Sequence, residues 1–473
     1  MQARRISLMP MEVFEPDIRR KSCPMKFLFP IFCNILTKNL HISVESDFEE
    51  TGIKAMPNSR EHSRITANAV ALVDSGNIPV AALVKEYCNY PDFYFSDPEK
   101  FAPYYFETDG IQFHYPPDTP YNDLYRYWTF RDGSLRRLRK FRNDNYIHMT
   151  NGFRHYLTKC IRTEDSEEML KFAGCLLHVL EDALFSLHAM EGPGGTDLMF
   201  LDRLNFFEKP PTEQLVDISA LEMEDVTGYT PCRLGSSVEE TVMNLYTEYV
   251  RKNRDSRRCC FQFLMARHNH SSPEEISAPV RQMYYNTVTL CADVLHTILN
   301  LRQGLPAKAR DYFLTEIEPF AFPHGGSGSI AFRFRSYGQD VSFDRQGNPV
   351  PLTVVVNGEN TVFKHGFSFG VHYENALLFQ LPEGMFSSFI ATIGLAADTV
   401  TKNPVTVKII NHDSVISSFV LGLCDAPSRE IAIPAPGGVF GIQEFSDRPS
   451  GTLIIGQPLL KANRFASEPF HIL

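Results

Sequence analysis

From Arg60 to about Gly304, apolar residues recur at intervals of three and four positions. Met169, Phe172, Ala173, Leu176, Leu177, Leu180, Leu184 and Leu187 show this most clearly, and the interval is that of one face of a helix. The segment "PEEISAPVRQMYYNTVTLCADVLHTILNLRQG" predicts a closing helix, with Pro273 and two acids at its start and Gly304 and Pro306 just past its end. Between Asn89 and Asn122 the period breaks. There "NYPDFYFSDPEKFAPYYF" and "FHYPPDTPYN" mix prolines with aromatics and predict an ordered, aromatic-rich loop.

After Pro306 the pattern changes to short runs, "TVVVNG", "SSFIATIGL", "PVTVKIIN", "REIAIPA" and "GTLIIG", separated by Gly, Pro, Asn and Asp. Such runs predict antiparallel strands of a sandwich or barrel. At 473 residues the chain exceeds what one hydrophobic core usually holds. The expected organisation is multidomain α + β: a leader or irregular arm over 1–58, an all-α domain over 59–305 and a C-terminal antiparallel β-sandwich over 310–473.

Composition narrows the function classes. A formal charge of −10 argues against a chain whose main task is to hold polyanions, since phosphate binding is dominated by basic surface. The run "RRLRKFR", Arg136 to Arg142, is read first as a solvated face and second as a local phosphate contact. The ten cysteines form no CxxC pair, so neither a thiolate zinc knuckle nor a dithiol redox motif is indicated. No apolar run reaches the roughly eighteen residues of a membrane-spanning helix. The segment "RRKSCPMKFLFPIFCNIL" would resemble a signal peptide if translation began at Met25, and a secreted or cell-envelope location is the expectation.

One helical stretch carries side chains suited to chemistry. In "HVLEDALFSLH", His178 and Asp182 stand four positions apart and project from nearly the same face. His188 lies ten positions from His178, roughly 80° away around the helix, and suits a neighbouring cation better than the same one. Hydrogen bonding within the core is the plain alternative for all three. Further candidates are His62 in "EHSRITANAV", Asp92 in "NYPDFYF" and His114 in "QFHYPPD". Imidazole nitrogen and carboxylate oxygen are what zinc takes when no thiolate is offered.

The ordered set His62 in "HSRIT", Asp92 in "YPD", His114 in "FHY" and then "HVLEDALFSLH" resembles the zinc-dependent phospholipase C family. That family's relatives include glycosylphosphatidylinositol-specific phospholipase D and the fungal single-strand nucleases. The resemblance covers roughly residues 60–300. It implies that Asp92, His114, His178 and Asp182 surround one zinc, that His62 and Asp182 hold a second, and that His188 begins a third site. It further implies hydrolysis of phosphate esters by metal-activated water, with Asp92 as the candidate catalytic base.

Departures from the pattern matter as well. The phospholipase C branch uses an N-terminal tryptophan as a ligand, whereas the one tryptophan here is Trp128. The third site normally closes with a histidine and a carboxylate. No histidine follows His188 before His268; fourteen residues beyond His188 stands Asp202, with Glu208 nearby, so that carboxylates would have to substitute or that metal is lost. Between one and three zinc ions are therefore expected, and a non-catalytic member stays open. His148 and His155 are an alternative source for the ligand assigned to His114, while His268 and His270 in "ARHNHSS" are read as a polar turn.

In the β half, "HGFSFGVH" (His365 to His372), "FQLPEGMFSSFIATIGL" (Phe379 to Leu395) and "GTLIIGQPLL" resemble the NPCBM type of carbohydrate-binding module often attached to glycosidases. The resemblance spans about 340–462 and implies a galactose-binding-like sandwich with a glycan ligand. Phe367, Phe369, His372 and Tyr373 are the candidate ligand-binding residues, the alternative being that alternating aromatics on a strand face the core.

The expected function is a zinc-dependent phosphodiester hydrolase of phospholipase C or D type, acting on a phospholipid or glycosylphosphatidylinositol-like substrate, with a glycan-binding accessory domain. The alternatives are a non-catalytic, metal-containing surface-binding protein and a zinc-dependent single-strand nuclease.

Overall fold

The computed structural model describes residues 59–73, 83, 86–94, 96–108, 111–112, 135–185, 226–304, 309–320, 337–344, 346–399, 403–412, 414–422 and 426–464. All of these lie within one unit, Lys54–Leu473. The expected leader, and residues 305–308 at the expected boundary, lie outside them.

The first half is helical. Among the described residues it holds α1 (Ser59–Leu72), α2 (Tyr90–Tyr94), α3 (Pro98–Phe101), α4 (Leu135–Arg162), α5 (Ser166–Leu184), α6 (Val238–His268) and α7 (Pro273–Arg302). The closing helix α7 begins where the sequence expects it. Ser272 caps it, and a reciprocal capping box with Glu275 satisfies backbone donors that would otherwise be orphaned at its start.

Helix α5 is the centre of this half and touches α1, α2, α4, α6 and α7. From Met169 to Leu184 nearly every side chain is buried, including His178, Glu181 and Asp182. An all-round apolar helix can be stable only when other elements enclose it. The aromatic loop is more regular than expected. It contains a 3-10 turn at Tyr87–Asn89 together with α2 and α3, because Asp97 caps α3 and Pro98 occupies its first position. A two-residue hairpin, β1 (Glu107–Thr108) with β2 (Ile111–Gln112), also interrupts the helical half.

The second half is an antiparallel sandwich, whose shorter strands include β4 (Tyr337–Gln339), β5 (Ser342–Phe343), β6 (Pro349–Val350), β7 (Leu352–Val356) and β8 (Glu359–Phe363). Two long strands, β9 (Gly366–Leu381) and β14 (Gly438–Ala462), pair with each other twice, and the register shifts between Ser446 and Gly451. On one side of that shift β14 pairs β11 (Val405–Asn411), which pairs β12 (Ser414–Leu421). On the other side it pairs β10 (Phe386–Leu395), which pairs β13 (Ser428–Pro434). Phe369, Phe379, Phe389, Ile393, Val407, Phe440 and Leu453 from both parts meet in one core. The two sheets thus share two continuous strands and enclose a common apolar layer.

The segment 309–320 joins the halves. Within it β3 (Tyr312–Phe313) adds to β14, and Phe320 N–H donates to the Leu378 carbonyl. A stripe along α6 holds the opposite side: Glu240 and Asn244 meet the Tyr312 hydroxyl, Thr247 accepts from Glu318 N–H, and Arg254 pairs Glu318. Ala376, Leu378, Ile410 and Val439 of the sandwich belong to the same buried cluster as the helices.

Candidate metal centre

Three helical segments and one turn build the centre. His62 and Thr66 stand four residues apart on α1, and both turn toward α5. The Thr66 hydroxyl donates to Glu181 Oε1 at 2.6 Å, and His62 Nδ1 lies 2.6 Å from Glu181 Oε2. His178 and Asp182, also four apart, project from one face of α5 as their spacing predicts. His178 Nδ1 lies 2.6 Å from the Cys88 carbonyl oxygen.

That carbonyl reaches His178 because Gly174 sits one turn earlier on α5. A Cβ at Gly174 would lie 2.5 Å from the backbone carbonyl carbon of Tyr87, so only glycine lets the Tyr87–Asn89 turn press against the helix. A carbonyl oxygen can only accept, so His178 Nδ1 carries the hydrogen and its Nε2 faces inward.

The inward-facing atoms converge on Asp182. Its Oδ1 is 3.4 Å from His62 Nε2 and its Oδ2 is 3.3 Å from His178 Nε2, with Asp92 Oδ1 3.7 Å from the same His178 nitrogen. The two imidazole rings are stacked, with centroids 4.0 Å apart and planes 21° apart. Among the described residues, one group of three metal-capable side chains brings its ligand atoms within 4.8 Å of one another: His62, His178 and Asp182. All three are buried, whereas Asp92 is 36% exposed, so the centre has a closed back and one side toward solvent.

Electrostatics explain what such an arrangement needs. Burial alone would lower the His178 pKa, but Asp182, Asp92 and Glu181 reverse that and raise it to about 9. The buried carboxylates of Glu181 and Asp182 call for positive charge nearby, since an uncompensated carboxylate is costly in a low-dielectric interior. A bound divalent cation would answer that demand. The donor set, imidazole nitrogen and carboxylate oxygen with each histidine's other nitrogen held by an acceptor, is one that zinc accepts.

Of the residues expected from sequence, His62, Asp92, His178 and Asp182 come together, while His114, His188 and Asp202 lie outside the described residues, as does Glu208. His155 does not join the cluster; it packs against the rings of Phe106 and Tyr156, and the side chain of His148 lies outside the described residues. His268 is the last residue of α6 rather than part of a turn, whereas His270 stands in the turn before α7 with a φ of 51°. The basic run falls within α4, and its side chains lie outside the described residues.

Glu181, Thr66 and the Cys88 carbonyl were not singled out from sequence. Glu181 had a signal: it is an acid in "FAGCLLHVLEDAL", a stretch apolar on all sides, which leaves it no route to solvent.

In the sandwich, one expectation needs correction. Phe367 and Phe369 are both fully buried in the core, on a strand whose alternate residues point inward, so neither can stack on a sugar. His372 and Tyr373 lie in β9, with their side chains outside the described residues.

No protein-family model matches the chain, and no curated protein matches it. Among solved structures, alpha toxin from Clostridium absonum aligns over 85% of this chain and 92% of its own, at 11% identity and a TM-score of 0.29. The CBM51 module of Clostridium perfringens GH95, in complex with methyl-galactose, aligns over 32% of this chain and all of its own, at 15% identity and a TM-score of 0.26. The tandem CBM51 modules of Sp3GH98 from Streptococcus pneumoniae align over 33% of this chain and 48% of their own, at 14% identity and a TM-score of 0.28. At these scores the chain is similar to each in outline, and no residue role passes from them to it.

Proposed function

We propose that the chain is a zinc-dependent phosphodiester hydrolase of phospholipase C or D type, with a sandwich that binds glycan. The observation that supports this most is the placement of Asp182, whose two carboxylate oxygens face the Nε2 atoms of His62 and His178 while both Nδ1 atoms are held from behind. His62, His178 and Asp182 would hold the metal. When bound, zinc would supply Lewis-acid stabilisation of charge developing on phosphate oxygens. Asp92, 36% exposed and 3.7 Å from His178 Nε2, would act as the base that takes a proton from an attacking water.

A substrate of phospholipid or glycosylphosphatidylinositol type, and a glycan ligand for the sandwich, rest on the sequence resemblances at "HVLEDALFSLH" and "HGFSFGVH". The test is metal content together with turnover. Purified protein should contain zinc and hydrolyse a chromogenic phosphodiester, and phosphatidylcholine or a glycosylphosphatidylinositol should be preferred to single-stranded DNA. Tightly held zinc without turnover would identify a metal-containing binding protein instead, and a preference for single-stranded DNA would identify a nuclease.

A further inference from the structure

We infer that Glu181 is the positioning residue of this centre: anchored by Thr66, it orients and polarises His62 without itself being a metal ligand. This rests on the metal reading of His62, His178 and Asp182.

The two histidines are held differently. His178 Nδ1 donates to a neutral acceptor, the Cys88 carbonyl. His62 Nδ1 meets a carboxylate, Glu181 Oε2, at 2.6 Å, while the other oxygen of that carboxylate accepts from the Thr66 hydroxyl at 2.6 Å. Glu181 is fully buried, as is Thr66. Both Glu181 oxygens are therefore engaged with α1, and both inward nitrogens face Asp182.

A carboxylate behind an imidazole fixes the tautomer with Nδ1 protonated and makes Nε2 a stronger donor to a cation. The arrangement also has a cost. Glu181 and Asp182 are adjacent buried acids, and like charges so close are tolerated better beside a cation. A residue present only for packing would not be chosen with that charge. An isosteric glutamine could accept from His62 Nδ1 and donate to Thr66 with less penalty.

This gives opposite signs for the metal-free and the metal-bound protein. In the full chain, Glu181→Gln should leave the metal-free thermal midpoint unchanged or higher, while zinc affinity, measured against a competing chromogenic chelator, falls about 10–100-fold. Cobalt(II) loaded into the variant should show an altered visible spectrum, since the donor strength of His62 changes. Thr66→Val, which frees one Glu181 oxygen, should shift affinity the same way by a smaller factor.

Equal zinc affinity in wild type and Glu181→Gln, with the variant folded, would overturn the inference while leaving the metal reading intact. If Glu181→Gln does not fold, unchanged affinity in Thr66→Val overturns it. Wild-type protein that takes up no zinc would instead remove the metal reading, and the inference with it.

Discussion

His62 and His178 stack ring on ring at 4.0 Å, one carried by α1 and the other by α5, and each directs Nε2 toward its own oxygen of Asp182. Asp182 is thus the one side chain on which both histidines depend.

Asp182→Asn should accordingly lower zinc content and phosphodiester hydrolysis together, by more than the roughly 10–100-fold that loss of an outer partner costs. Elemental analysis and a chromogenic assay on the same preparation would check this. His268→Ala, at the C-terminal end of α6, should change neither. Unchanged metal content in Asp182→Asn would mean that the α5 cluster is a hydrogen-bonded core feature.

Gly174 offers a test that touches no ligand. An added Cβ would press into the Tyr87 backbone at 2.5 Å, and relieving that overlap should cost about 1–3 kcal/mol of stability. The turn that moves also carries the Cys88 carbonyl holding His178. Gly174→Ala should therefore lower both the thermal midpoint and zinc affinity. A variant that is destabilised but binds zinc as tightly as wild type would separate the turn from the site.

What the sequence revealed follows its periodicities. The three-and-four spacing in α5 marks both a helix and the shared face of His178 and Asp182, because one geometry produces both signals. The approach of α1 was visible only through the resemblance around His62, since no local pattern encodes a contact between distant helices. Glu181 was legible in principle, as an acid with no polar face to occupy. Phe367 and Phe369 show the limit in the other direction. Alternation along β9 states that two faces differ, but which face is buried is settled by how β9 and β14 enclose the core.

Asp293 provides a pH-dependent signature of the helical half. Burial raises its pKa to about 6, against hydrogen bonds from the Cys232 backbone and Tyr229 and the nearby Lys252. A carboxyl whose folded pKa exceeds its unfolded value binds more protons in the native state. Its contribution is complete below the unfolded pKa and is lost as pH rises through about 6. Relative to Asp293→Asn, wild type should lose on the order of 2–3 kcal/mol between about pH 4 and pH 7. Urea unfolding of both proteins at the two pH values measures it. A constant difference between them would place Asp293 in a fully compensated environment.

The α6 stripe makes a mechanical claim about the two halves. Glu318 is 7% exposed and pairs Arg254, which is 46% exposed, so removing the arginine leaves a nearly buried carboxylate to find water. The cost should be about 1–3 kcal/mol, toward the lower end because the arginine itself is screened by solvent. Because Phe320 and the sandwich residues Leu378 and Val439 share one buried cluster with the helices, the loss should not stay local. In Arg254→Ala, amide hydrogen exchange should accelerate in α6 and in the Ala376–Leu381 part of β9 together. Acceleration confined to α6 would show instead that the two halves open independently.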